Sequence, residues 1–483
     1  MHLARIEAEA NTQSRPHRRA VRYLAQALQS PFRFALAAAA LTSAIGCGNT
    51  YRPVVSAINP VGPAAQPQKF AVAISTTGTT AHPTPGLVTF VDFSGDTVLI
   101  TAQIGVNPYY LILNSGGNTG YTLNSDHTLT TFDISTQLLQ SQVLQTTLLL
   151  NANPVSIFPE GANTYVSDPG LSAVSQFVGQ PLNLQQELGI NPAFTPIYVA
   201  GIASAPRVYA ISQRVGGGPG QVSTIETTSN TIDPNPITVG RDPVYGIMTA
   251  DAKRAFIMNQ TDGTVSVINA QTNLLDIVPA GATNPIPVGQ SPLWADFAPT
   301  RNEMVVANAG DGVHAGSVSI ISIPLCSATA LPTNPNCDPN NPVDAVGFGT
   351  VLANVPVGIN PRMVGVLQDG TRAYVVNGGN PNLPCAAPTA ALPLGNCTVS
   401  VINLSTNTVT ATIPLPVSPI TGGAPNLNGH PNYIAVTTGT PTGKVYVTSP
   451  ESNFMTVIRT DTDTVDLTIP LQGNGVSVRI TQP

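Results

Sequence analysis

From about residue 70 onward the chain alternates apolar and polar residues in runs of five to eight, each closed by a short cluster of Gly, Pro, Asn, Asp, Ser or Thr. Residues 445–471, VYVTSPESNFMTVIRTDTDTVDLTIPL, show it most plainly, with three alternating runs separated by tight-turn clusters. Alternation with period two places successive side chains on opposite faces of a strand, and turns this short join only antiparallel neighbours. A fourth run, preceded elsewhere by a Gly-x-x-Pro turn, completes the unit. The expected element is a four-stranded antiparallel sheet built in sequence order.

The unit recurs. Aligning the large apolar residue of its second strand gives Phe70, Tyr121, Tyr165, Tyr209, Phe256, Met304, Tyr374 and Tyr446. The spacings are 51, 44, 44, 47, 48, 70 and 72 residues; most match the length of a propeller blade, and the two long ones carry insertions. The third strand recurs as VTFV, LTTF, VSTI, TVSVI, SVSII, TVSVI and MTVI, with LSAVSQF (171–177) as the weakest copy. The fourth strand ends as PITVG, PIPVG, NVPVG or TIPLP, and the next unit opens on GVNP, GRDP, GQSP or GINP. One four-stranded sheet exposes two faces, and stacking the sheets in a closed ring buries both. A sandwich, or two stacked sandwiches, would not need the same order of turns and strands every 45 or so residues.

These residues resemble the YVTN-type β-propeller repeat family over about residues 69–483, most explicitly at 240–302 and 361–471. The resemblance implies an all-β fold, a single β-propeller of four-stranded antiparallel blades. The repeat count is eight, with seven as the alternative because the unit at 164–207 is weak. The first unit starts at its second strand, whereas an extra run, GVSVRI (475–480), follows the last. That run is expected to supply the missing inner strand of the first blade, so that the N- and C-terminal strands close the ring.

Composition fits many turns and few charges: 42 Gly, 45 Pro and 9% charged residues, against about 25% in ordinary soluble domains. Residues 1–46 read as a signal peptide, with an Arg-rich start and the apolar run FALAAAALTSAIG, too short to span a membrane. The ending Ala44-Ile45-Gly46-Cys47 resembles a bacterial lipobox, which implies lipidation of Cys47. Gly48, not Asp, follows, and by the same resemblance this favours sorting to the outer membrane. Residues 47–68 then form a Pro-rich tether, and 69–483 the propeller. Six of the nineteen basic residues and two of the twenty-five acidic ones precede Cys47, so the mature chain carries a formal charge of −10. No basic footprint for nucleic acid exists.

The five cysteines divide into Cys47 for lipid, Cys326 with Cys337, and Cys385 with Cys397. In an exported chain this favours two local disulfides that stiffen Pro-rich insertions. No His or further Cys lies near them at ligand spacing along the chain, so no metal and no cofactor are expected.

Propeller ligands usually bind where the fourth-to-first and second-to-third strand loops gather, and four of the six histidines, His82, His127, His314 and His430, fall in such loops. Residues at inner-strand starts that could line this mouth are Tyr109, Arg241, Asp242, Trp294, Asp296, Arg362, His430 and Tyr433. Enzyme signatures are lacking: no G-x-S-x-G, H-E-x-x-H, phosphate loop or EF-hand. The expected function is therefore a monomeric, lipid-anchored envelope propeller that binds a protein or glycan without catalysis. The alternative is a channel-mouth hydrolase of the propeller lactonase sort.

Overall fold

The computed structural model describes residues 70–78, 81–203, 205–276, 283–324, 347–385, 395–418, 429–437 and 443–481. The segments read as signal peptide and tether, Cys47 and the loop carrying Cys326 and Cys337 lie outside the described residues.

The sequence forms eight antiparallel sheets, seven with their strands in chain order and one completed by the last strand, and together they make an eight-bladed β-propeller. The eight inner strands are Asn474–Ile480, Pro108–Leu113, Ser156–Glu160, Phe194–Ala200, Pro243–Met248, Pro292–Ala298, Pro361–Val366 and Tyr433–Thr437, numbered here as blades 1 to 8. Closure is as the sequence implied: Asn474–Ile480 pairs antiparallel with Phe70–Thr76, so the last residues complete the first blade and no inner edge is left open. In blades 4 and 5 the fourth strand is split into two short pieces, Thr231–Ile232 with Ile237–Arg241 and Leu274–Leu275 with Ile286–Pro287.

Strand register revises the repeat alignment at two places. The turn proline pairs with the last residue of the second-strand signature: Pro108 with Asn124, Pro243 with Asn259, Pro292 with Asn308 and Pro361 with Asn377. Gly475 with Ser75 is the matching pair in blade 1. Counting back three residues gives Tyr121, Phe256 and Tyr374, but Val305 rather than Met304, and Val72 rather than Phe70. Alternation alone cannot detect such slips, because neighbouring positions in both strands are apolar.

The recurring residues are the blade-to-blade fastening. The signature asparagines donate to a third-strand hydroxyl, Asn124 to Thr130 (2.8 Å), Asn308 to Ser319 (2.9 Å) and Asn377 to Ser400 (2.9 Å). The same hydroxyl accepts the glycine N–H that ends the preceding blade: Gly105 to Thr130 (3.2 Å) and Gly289 to Ser319 (3.1 Å). A Cβ at Gly289 would stand 2.6 Å from the Asn308 amide nitrogen, and one at Gly358 would stand 2.6 Å from that of Asn377. The Gly of the Gly-x-x-Pro turn is thus required by the close approach of the next blade.

The signature tyrosine fastens the other end. Its hydroxyl reaches the turn between third and fourth strands of the following blade: Tyr165 to Asn230 (2.5 Å), Tyr209 to Asn273 (3.1 Å), Tyr374 to Asp463 (2.6 Å) and Tyr446 to Asp96 (3.2 Å). Each acceptor sits at positive φ, between 52° and 56°, which Asn and Asp tolerate best among non-Gly residues. Arg372 and Lys444, two residues before their tyrosines, pair with the same Asp463 and Asp96. Between these polar ends, Val, Ile, Ala and Met from adjacent blades form the core.

Candidate functional site

Register also fixes what each blade presents at a given level of the channel. Two residues after the turn proline stand Tyr110, Ser156, Tyr198, Tyr245, Trp294, Met363 and Tyr433, paired with Leu123, Ser167, Ile211, Met258, Ala307, Val376 and Thr448. Ser477, paired with Ile74, completes the ring in blade 1. Five of eight blades therefore place an aromatic residue at one level. The aromatics touch in series: Tyr198 and Tyr245 have ring centres 5.0 Å apart, and Tyr245 stacks on Trp294 at 4.0 Å.

Two residues further along each strand, on the same face, stand Ile112, Phe158, Ala200, Ile247, Asp296, Gly365, Ala435 and Arg479. Only Asp296 and Arg479 are charged. These two levels border a cavity of about 770 Å³. It continues toward the carboxyl ends of the inner strands, where Thr249, Asp251, Pro299 and Gln368 line it. That end is opposite the mouth on which sequence reasoning concentrated.

Arg479 is the central feature. Its guanidinium lies 5.2 Å from the ring centre of Tyr433 and 5.9 Å from that of Trp294. It donates to the Val478 carbonyl at 3.3 Å and, among the described residues, forms no ion pair with a carboxylate. Aromatic faces accommodate a guanidinium without neutralising it, which leaves its remaining N–H groups and its charge directed at the cavity. Asp296, the other charged group, accepts the N–H groups of Val366 (2.8 Å) and Phe297 (2.9 Å). Burial nevertheless outweighs these bonds and pushes its carboxyl up to about 6. Burial likewise raises the phenols of Tyr110, Tyr198 and Tyr245 above the ordinary tyrosine value, and Tyr110 and Tyr198 hydrogen-bond to each other. All three are thus neutral donor–acceptor groups at neutral pH.

Of the residues anticipated from sequence, Trp294 and Asp296 line the cavity, and Tyr433 flanks it under Arg479. The other five have local partners. Tyr109 donates to the Pro154 carbonyl of the next blade (2.5 Å). Arg241 is held by Asp262 through backbone N–H and Nε (2.7 and 2.5 Å), and Asp242, at φ 49°, accepts the Thr261 hydroxyl. Arg362 donates to Asn432 at 3.2 Å. The histidines do not converge: His127 Nδ1 meets the Ala152 carbonyl (3.0 Å), and His314 Nδ1 meets Asp311 (2.6 Å).

Cys385 and Cys397 form a disulfide, with Cα atoms 5.1 Å apart, as their spacing suggested. His430 Nδ1 lies 2.6 Å from the Gly378 carbonyl oxygen and 3.6 Å from each of the two sulfurs. The fold brings this histidine to the cysteine pair from 33 residues beyond Cys397, a separation at which chain spacing carries no ligand signal.

Sequence reasoning did not single out Tyr110, Tyr198, Tyr245 or Arg479. A signal existed for the tyrosines, since each sits two residues after a turn proline. Arg479 lacks it, because it stands four residues after the turn position, which in blade 1 is Gly475 and not a proline.

No protein-family model matches the chain, and no curated protein matches it. Solved structures do match. Citrobacter koseri AztD has a TM-score of 0.55 at 11% identity, covering 85% of this chain and 97% of its own. The dihydro-heme d1 dehydrogenase NirN in complex with DHE has a TM-score of 0.55 at 12% identity, covering 86% and 77%. A putative 6-phosphogluconolactonase from Bacteroides fragilis has a TM-score of 0.50 at 14% identity, covering 87% and 99%. At these identities the likeness is one of fold.

Proposed function

We propose that this protein is a non-catalytic binding propeller of the YVTN type, tethered to the cell envelope through a lipid on Cys47, whose channel takes up a small organic anion with an aromatic or apolar body. The observation that carries the reading is Arg479: a cation at the cavity wall, braced by Trp294 and Tyr433, with no carboxylate partner among the described residues. A carboxylate or similar anion would supply the missing charge, while the ring of Tyr110, Tyr198, Tyr245 and Trp294 supplies apolar surface and phenolic hydrogen bonds for its body. The lipobox and tether supply the address.

The test is a thermal-shift and calorimetric screen of aromatic and aliphatic monocarboxylates and their neutral amides against the mature chain. A ligand at one hundred times its Kd stabilises a protein by about 2.7 kcal/mol, which such a screen resolves. Acids that bind where their amides do not, with binding lost in Arg479→Met, support the reading. Equal binding of acid and amide, or full binding by Arg479→Met, sinks it.

Asp296 favours one second reading. A carboxyl titrating near 6 inside a cavity is poised for proton transfer, as the channel hydrolase alternative requires. Turnover of lactones or esters that follows ionisation of a group near pH 6, and vanishes in Asp296→Asn, would establish it instead.

A further inference from the structure

We infer that Cys385, Cys397 and His430 form a redox-gated site for a thiophilic divalent cation, with zinc as the test case, at the junction of blades 7 and 8. Among the described residues this is the one place where His, Cys or carboxylate ligand atoms gather in a group of three, all within 4.8 Å. Both cysteines are buried, at 4% and 3% exposure, and His430 is partly exposed, so the cluster is walled on the protein side and reachable from solvent.

Two of the three ligand-to-ligand distances already suit an ion, and reduction frees the two sulfurs to part to the roughly 3.8 Å that two thiolates span on a tetrahedral ion. Zinc binds thiolate sulfur at about 2.3 Å and imidazole nitrogen at about 2.0–2.1 Å, so two such ligands on a tetrahedral ion stand roughly 3.5–3.6 Å apart. His430 Nδ1 already lies 3.6 Å from each sulfur. The disulfide bars the ion, because the thiolate is the ligand form. A dithiol reductant changes this: it gives two electrons and two protons to the disulfide, becomes a disulfide itself, and leaves two thiols. Zinc then displaces both thiol protons. One Zn²⁺ with two thiolates and a neutral imidazole is uncharged overall, which suits two buried sulfurs. On binding, Nδ1 gives up its bond to the Gly378 carbonyl, its proton passes through solvent to Nε2, and the freed Nδ1 lone pair takes the metal with the imidazole still neutral. Three protein ligands leave the fourth position to water, the composition of an open zinc site rather than a closed structural one. The same three residues therefore serve two exclusive states, a covalent staple when oxidised and a metal clip when reduced. Both join the second-to-third strand loop of blade 7 to its own third strand, and only the metal adds blade 8.

The test uses the whole chain carrying Cys47→Ser, Cys326→Ser and Cys337→Ser, so that Cys385 and Cys397 are the sole thiols. Zinc is titrated anaerobically against a chromophoric chelator, before and after reduction with a phosphine, and Co²⁺ serves as a spectroscopic probe of thiolate ligation. The expected result is one zinc per reduced chain, no uptake by the oxidised chain, and for His430→Ala a loss of affinity at least as large as the roughly 10–100-fold that losing an outer-shell partner already causes, restored by His430→Cys. Equal uptake by oxidised and reduced chains overturns the inference. So does parental affinity in His430→Ala, or a reduced chain that keeps its circular dichroism yet takes up no zinc. Reduction that unfolds the chain without recovery on adding zinc overturns it as well.

Discussion

The contact between blades and the wall of the channel are both rich in tyrosine, yet they are built on opposite plans. Between blades, Tyr165, Tyr209, Tyr374 and Tyr446 each make the same bond to the same turn position of the next blade. In the channel, Tyr110, Tyr198, Tyr245 and Tyr433 share one level with Trp294, Met363 and two serines, and no partner recurs from blade to blade. The first set is repeated because every blade faces the same packing problem. The second varies because seven of the blades together line one space, each from a different side. In a repeat protein, departure from the repeat is therefore the sharper pointer to binding, and Arg479 departs furthest.

Substitutions that separate the two plans should differ in what they move. The largest effect is expected where two blades approach closest. Gly358→Ala puts a methyl 2.6 Å from the Asn377 amide, and overpacking of this kind costs about 1–3 kcal/mol; denaturant unfolding should show it, with Gly289→Ala behaving alike. Removing the interblade phenol in Tyr374→Phe leaves Asp463 with Arg372 alone, for a loss of about 1–1.5 kcal/mol in the same assay. Were Tyr374→Phe to weaken ligand binding as much as stability, the division between fastening and channel would fail.

The channel substitutions should do the reverse. Arg479→Met is expected to lower the unfolding free energy by no more than about 1 kcal/mol, because the thioether keeps contact with the Trp294 and Tyr433 rings that the guanidinium loses. Anion binding should disappear in the same variant.

The last effect is read as a slope in pH. The Asp296 carboxyl titrates near 6 in the folded chain, above its ordinary value of 3.8, so the folded state holds a proton the unfolded state has already lost. Its contribution is present in full below about pH 4 and is lost as pH rises through 6. Comparing thermal midpoints of the parent and Asp296→Asn from pH 4 to 7 isolates that slope. A bound anion close enough to feel the carboxylate should raise the Asp296 value further.

Much of this was legible in the chain. The blade count, the strand order and the use of residues 475–480 to close the ring followed from alternation and recurrence, because each blade must carry its own copy of whatever packs it against its neighbour. The same recurrence exposed the Gly-x-x-Pro turn and the third-strand strings, though not that the turn glycine, the asparagine ending the second strand and a third-strand hydroxyl meet one another across the blade boundary. Cys385 and Cys397 were paired by their nearness in sequence, a local property.

What only the tertiary structure decided is everything that takes one residue from each of several blades. Tyr110 and Arg479 are 369 positions apart, and no spacing rule links them, yet both line one cavity. Arg241 and Asp242 were singled out beside Trp294 and Asp296, although the first two lie inside the Gly240-x-x-Pro243 turn and the other two follow the Gly289-x-x-Pro292 turn. Whether such a side chain turns to a local partner, as Arg241 does to Asp262, or lines the channel depends on the volumes its neighbours leave. His430 joined the cysteine pair for the same reason. Repetition writes the contacts between blades into every copy of the sequence, whereas the channel is a sum over blades that exists only once the ring has closed.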